Sequence, residues 1–444
     1  MKLEHIIKSL SPDDCNKIVD SLIQTKADKY IKLFESICNN DSEKRILKKL
    51  GVSPSAYYTL RSRLLDKIQD HVYAKAPNAG FKLSKNIDNI DYLLYNSPKE
   101  IALSVLLKLE KELIKFDIPA DLAAVYKALS KLHLNSAKHE HYIAENLKAK
   151  DSATTLEKAE DLLHIFNKNI SNYWAGRNEG LLQAIIQNKR EMNSYPISDK
   201  SHHLKVFNNI LNIQFALHIG LSDEMQNDNS IEEMLSETVT ITTAFPDDKT
   251  YMHLVSIINL LHFEYYTHSK LYKKAAAYFE KIKSNWMGYC YYNRSFFVAN
   301  FYSSIIDYYF HENKENQLVN DQLFFICEQD ADSLPDYIIA EYFKAVNLFY
   351  ANKMDDAIVC ITKLRESTSL KQYESIGMEI KLFTVLLYIK QDKLFLAESA
   401  LKSIYNKISS LKCKELKIVS KAYFKLLHNY CLAKKNKKPS LQHQ

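Results

Sequence analysis

Histidines close enough to act together occur in two places, His139-Glu140-His141 and His202-His203. On a helix, residues i and i+2 point about 200° apart and neighbours about 100° apart, so neither pair is set to chelate. A tetrahedral metal site needs several convergent ligands. Asp161-Leu162-Leu163-His164 has the i, i+3 spacing of a di-iron ligand pair. No companion carboxylates accompany it, and a surface pair is the simpler reading. A phosphate-binding glycine loop, a GxSxG elbow and an HExxH helix are all absent from the sequence,. With no acid–base or nucleophile constellation, the sequence predicts no catalytic residue, no metal, no cofactor and no enzyme.

The elements that carry these side chains are predicted to be helices throughout. The 444 residues contain seven glycines and nine prolines. Sheet-rich and doubly wound folds need glycine at tight turns, whereas helix pairs manage with Asn, Asp and Ser. No apolar run approaches the roughly 18 residues of a membrane span, and the first residues lack a signal-peptide core. The seven cysteines include no CxxC pair and mostly sit in helical apolar patterns, which suits a reducing cytoplasm,. Of the net charge of +6, residues 1–80 carry +4 and residues 412–444 carry +8, leaving the middle acidic. Basic ends bear on partners.

Ser11-Pro12 reads as a helix start, Tyr30, Leu33, Phe34 and Ile37 as the stripe of a second helix, and Asp41 or Ser42 to Leu50 as a third,. Gly51-Val52 is a tight turn, and Ser53-Pro54 caps a helix to about Tyr73. Ala74 to Gly80 is the best linker. Ser97-Pro98-Lys99-Glu100 reads as a capping box and Pro119 as a helix start. Residues 151–193 and 201–220 are helical in period, and Met225 to Ser230 is a polar break. The segment 286–310 holds eleven aromatics, the mark of a helix buried on two sides,.

Beyond residue 250 the pattern recurs. Tyr302/Ile305/Ile306/Tyr309, Tyr342/Ala345/Val346/Phe349, Leu382/Val385/Leu386/Ile389 and Tyr423/Leu426/Leu427/Tyr430 start at steps of 40, 40 and 41 residues. Ile258/Leu261/His262/Tyr265 is an imperfect earlier copy. Second helices follow with Ala275/Phe279/Ile282, Ala357/Ile361/Leu364 and Ala397/Leu401/Ile404, while residues 315–328 fit less well. A fixed step of this size is the signature of a repeat architecture. These residues resemble the tetratricopeptide repeat, most clearly over 250–430. The repeat here is about 40 residues rather than 34, without the glycine of helix A or the proline closing helix B.

The resemblance implies an all-α fold of stacked helical hairpins forming a right-handed solenoid. It implies a non-enzymatic scaffold that takes a protein or peptide segment in its groove. Carried across, the groove residues are Asn259, Phe263, Tyr266, Asn300, Asp307, Phe310, Asn347, Tyr350 and Lys390, with Phe343 and Phe383 divided between groove and packing.

Residues 47–67 resemble a bacterial helix-turn-helix, with Gly51-Val52-Ser53 as the turn and Ser53 to Lys67 as the recognition helix. The resemblance implies that Ser55, Tyr57 and Tyr58 reach base edges while Arg61, Arg63 and Lys67 meet the backbone. Leu47 stands where that family usually has alanine. Residues 41–67 carry seven basic and three acidic side chains, the right sign for nucleic acid. The other reading is a capped hairpin that closes the array. The resulting organisation is an N-terminal helical module (1–73), a linker (74–84), an irregular helical array (85–245), the clearer repeats (246–433) and a basic tail (434–444). A DNA-binding transcriptional regulator with a repeat-built sensor region is the alternative to the scaffold.

Overall fold

The computed structural model describes residues 3, 7, 12–24, 27–39, 41–74, 87–196, 201–220, 230–246, 248–284, 298–312 and 334–437. Side chains of 12–14, 69–74, 298–300, 336 and 437 are outside that description. All regular structure among the described residues is helical, with nineteen helices and no strand. The chain divides into two compact units, Met1–Asn86 and Ile87–Gln444. Most of the expected linker, the expected second helix at 315–328, the stretch 286–297 of the aromatic segment, the break at 225–229 and the tail beyond 437 lie outside the described residues.

The first unit contains α1 (Pro12–Gln24), α2 (Asp28–Cys38), α3 (Glu43–Leu50) and α4 (Pro54–Ala74). Leu33, Phe34 and Ile37 of α2 are buried with Ile46 and Leu50 of α3 and with Tyr57, Leu64 and Ile68 of α4. Gly51 ends α3 in the left-handed region at φ 61°, and its N–H closes on Leu47 O. Glycine takes this conformation without a Cβ clash, so the chain turns at once into α4.

The second unit runs α5 (Ile90–Asn96), α6 (Lys99–Lys115), α7 (Pro119–Leu132), α8 (Lys138–Gly176), α9 (Glu179–Ser194), α10 (His202–His218), α11 (Ile231–Ala244), α12 (Lys249–His268) and α13 (Tyr272–Ser284). It continues with α14 (Val298–His311), α15 (Leu334–Tyr350), α16 (Met354–Ser367), α17 (Glu374–Lys390), α18 (Leu394–Ser409) and α19 (Lys414–Lys437). Sequential helices pair as hairpins. Ala275, Ala357 and Ala397 are each 0 % exposed where their hairpins close. A small residue there lets two helix backbones approach.

Four hairpin corners share one turn. Asp117, Lys270, Asn352 and Asp392 all sit in the left-handed region, at φ 50°, 58°, 61° and 59°. In each case the next N–H reaches a carbonyl five residues back: Ile118 to Leu113, Leu271 to Tyr266, Lys353 to Leu348 and Lys393 to Tyr388, at 2.8–3.0 Å. This is the Schellman closure, formed here without glycine. It explains how so many helices end in a chain so poor in that residue.

The stretch 151–193 is helical as its period predicts, in two elements: α8 runs 39 residues to Gly176, and α9 follows after Arg177 at φ 52°. Two sequence expectations are corrected. Ser97 forms no capping box, because α6 begins at Lys99 with no side-chain cap, whereas Ser230 and Glu233 cap α11 reciprocally. In the last copy of the octad Leu427 is buried, but Tyr423 and Leu426 are 57 % and 65 % exposed.

At about 1.5 Å per residue α8 is ~58 Å long. Its first half packs on α7, and its end reaches α15 and α17. There Ala175 shares a core with Ile338, Ile376 and Phe383. A pure nearest-neighbour stack would not bring those helices together. A second core runs from Ala159 to Ala340 without a break at 245/246. Its centre is α10, buried on nearly every face, whose Asn208 and Asn212 side chains donate to Asn193 Oδ1 at 2.9 Å.

Candidate functional site

The C-terminal helices of the second unit hold an unusual set of side chains. Glu379 lies on α17, a helix otherwise buried through Ile376, Ile380, Phe383 and Leu387. Protein crowds the Glu379 carboxyl on nearly every side, yet the residue keeps some contact with solvent. Burial pushes its pKa up to about 7, against the opposing pull of the Arg177 guanidinium. Near neutral pH this carboxyl is divided between an acid that donates a hydrogen bond and a carboxylate that accepts from a cation.

Arg177 follows α8 in the left-handed region, its guanidinium 4.6 Å from the Trp174 ring centroid and 5.2 Å from that of Tyr173. Tyr342 of α15 is enclosed in the same way as Glu379. Burial raises its hydroxyl well above the usual tyrosine range, and the charges of Glu379, Tyr350 and Tyr423 add to the effect. The Tyr342 ring stands edge-on to Phe383 at 5.8 Å, and Phe383 meets Phe349 at 5.6 Å. The residue after α8 together with α15, α17 and α19 thus brings one arginine, one carboxyl and several tyrosines to one region.

Of the groove residues expected from the sequence, Tyr350 and Lys390 belong here. Tyr350 is half-buried and edge-on to Phe310 at 4.7 Å; Lys390 is exposed, its ammonium 5.7 Å from the Tyr430 ring centroid. Phe310 is 40 % exposed. Asp307 is exposed and accepts from the Tyr272 hydroxyl at 3.4 Å, and Asn259 is partly exposed. The side chain of Asn300 lies outside the described residues. Three positions are corrected to core. Phe263 is 0 % exposed among Phe279, Phe301 and Tyr308, Tyr266 is 8 % exposed, and Asn347 is 7 % exposed. Phe343 packs on Tyr302 at 5.5 Å, on the packing side of its two readings. The cause is common to all: these helices are covered on more than one side, so the face beside the octad is not automatically free.

Glu379, Arg177, Trp174, Tyr342 and Tyr423 were not singled out by the sequence as a site. The one signal was a lone glutamate in the apolar run of α17.

In the first unit, Ser55 and Arg63 of α4 are exposed and Tyr58 is 56 % exposed, its hydroxyl donating to Glu43 Oε1 at 3.2 Å. Tyr57 is corrected: at 1 % exposure it lies on the same face as Leu64 and Ile68 and belongs to the core, away from any base edge. Arg61 donates to the Tyr57 hydroxyl at 3.2 Å, and the Lys67 ammonium lies 5.8 Å from the Tyr30 ring centroid. Lys49 and Arg45 both engage Asp41. Several cations of this unit are therefore held by its own groups.

The remaining chemistry-bearing pairs divide. His139 is tied to Ser130 O at 2.9 Å, His141 packs on Tyr142, and Asp161 and His164 are exposed. His202 and His203, by contrast, do not diverge as adjacent helical residues should: their ring centroids are 4.6 Å apart. No protein-family model, curated protein or solved structure matches this chain.

Proposed function

We propose that the second unit is a helical-repeat scaffold of tetratricopeptide-like design that binds a protein or peptide segment, and that it is not an enzyme. The observation that supports this most is the gathering of Arg177 after α8, Tyr342 and Tyr350 of α15, Glu379 of α17 and Tyr423 of α19 in one region. Tyrosine and tryptophan offer contact area at small entropic cost, and a partly exposed arginine near a carboxyl selects among polar segments,. Among the described residues no helix is long and apolar enough to cross a membrane, and Cys15, Cys38, Cys360, Cys413 and Cys431 are free thiols. A reducing cytoplasmic setting suits them. The test is selection of peptides on the full chain from a random library. Lys390→Glu and Tyr423→Ala, both at exposed positions, should each weaken selected peptides at least about tenfold at unchanged melting temperature, as interface anchors do. Peptides that bind both variants as tightly as the parent would remove this surface from the reading.

A second reading is favoured by the first unit alone. Its α3, Gly51 turn and α4 have the order of a helix-turn-helix, with Ser55, Tyr58 and Arg63 on the outside. We infer that any DNA contact uses these three rather than Tyr57. Duplex binding by the full chain should then weaken in Arg63→Ala and lose about one unit of log–log salt slope. Absence of duplex binding at low salt would end this reading.

A further inference from the structure

We propose that Asp117, His202 and His203 form a site for one divalent transition-metal ion of the zinc type. Three parts of the second unit meet there: the corner after α6, the start of α10 and the start of α12. Each of the three residues offers a ligand atom, and these atoms all lie within 4.8 Å of one another. Asp117 Oδ2 and His203 Nδ1 are 3.5 Å apart. Metal bonds of about 2.0–2.1 Å in tetrahedral geometry separate neighbouring ligands by roughly 3.4 Å. One nitrogen of His202 completes the set.

The surroundings are those of a built site. His203 Nε2 lies 2.8 Å from Asp248 Oδ2, with both side chains nearly buried. A ligating histidine commonly presents its other nitrogen to a carboxylate in this way, which fixes ring and tautomer. Asp117 Oδ2 accepts from Ser201 Oγ at 3.0 Å and from the His203 N–H at 3.1 Å, so the carboxylate is also held. His202 is stacked on Phe245 at 4.0 Å, with its Nδ1 2.5 Å from the Tyr251 hydroxyl. A recess of about 170 Å³ opens beside Asp117 and His203 and is lined also by Glu157, Glu160 and Thr250. It provides an entry path and room for a water as fourth ligand, the arrangement of an open rather than a closed metal site.

The competing arrangement is a metal-free clasp, in which His203 Nδ1 bonds Asp117 O at 3.0 Å and the network only joins the three corners. Titration of the full chain, first stripped with a chelator, separates the two. Zn²⁺ should bind with one-to-one stoichiometry by calorimetry, and Co²⁺ should give visible bands of tetrahedral intensity. His202→Phe keeps the stacking on Phe245 but removes a ligand nitrogen. It should weaken Zn²⁺ at least tenfold while the chelated protein keeps its helical circular dichroism. Asp248→Asn should weaken Zn²⁺ by about 10- to 100-fold. No saturable binding of either ion to the folded parent, or equal Zn²⁺ affinity in parent and His202→Phe, would overturn the site and leave the clasp. Neither result bears on peptide binding at α17 and α19.

Discussion

His218 Nε2 lies 2.9 Å from Glu264 Oε2 between α10 and α12, and each side chain is only 1 % exposed. The pair joins the central helix of the large core to its neighbour where water cannot replace either partner. Removing one side strands the other, which is costly, whereas replacing both by apolar groups of similar volume is often neutral. Glu264→Leu alone should therefore cost about 3–5 kcal/mol. Glu264→Leu combined with His218→Leu should cost much less than the sum of the two single changes. Urea unfolding of the three variants and the parent, read as a double-mutant cycle, checks this.

Ala357 and Asp356 are adjacent on α16, one 0 % exposed and the other on the surface. Ala357→Leu forces extra volume between α15 and α16 and should cost about 1–3 kcal/mol. Asp356→Leu should be close to neutral. Thermal melts of the two variants distinguish a true helix-pair contact from a general intolerance of leucine.

These two residues also show how far the sequence could be read. A forty-residue step and the 3.6-residue period were enough to place Ala357, Ile361 and Leu364 on the buried face, because burial on one side of a hairpin is a local property of spacing. What lies beside that face depends on which distant helix arrives there. Nothing local to Phe263 announces that Phe279, Phe301 and Tyr308 enclose it, or that the end of α8 meets α15 and α17. His202 and His203 fail for a related reason. Ideal helical angles separate their Cβ vectors, but at the first turn of α10 the rings fold together against Phe245 and Tyr251. The Gly51 turn of the first unit was legible because one glycine in the left-handed region is a local signal.

Lys270 holds the left-handed position at the corner after α12, at φ 58°. A side chain with a Cβ is strained there, and glycine is not. Lys270→Gly should stabilise the folded chain by up to about 1 kcal/mol, reduced by the greater freedom glycine gives the unfolded chain. The same change at Asn352 should gain less, since asparagine tolerates this region better than lysine. Denaturant midpoints of both variants test the order.

Glu379 makes a pH-dependent contribution whose sign follows from the direction of its shift. Its pKa rises from 4.5 to about 7 on folding, with burial as the main cause and Arg177 opposing it. Below about 4.5 the carboxyl is neutral in both states and its burial costs little. Between 4.5 and about 7 the unfolded chain releases the proton while the folded one retains it, so stability falls as pH rises through that window. The ceiling on the loss is about 3 kcal/mol, and the residue's remaining solvent contact lowers it,. Glu379→Gln removes the titration and keeps the shape. Its stability relative to the parent should therefore increase between pH 4.5 and 7 and level off above,. Arg177→Ala removes the charge that lowers the carboxyl and should extend the window upward. Urea midpoints of parent, Glu379→Gln and Arg177→Ala across this range are the measurement. A parent and a Glu379→Gln curve that stay parallel would show that the carboxyl is solvated in the folded chain.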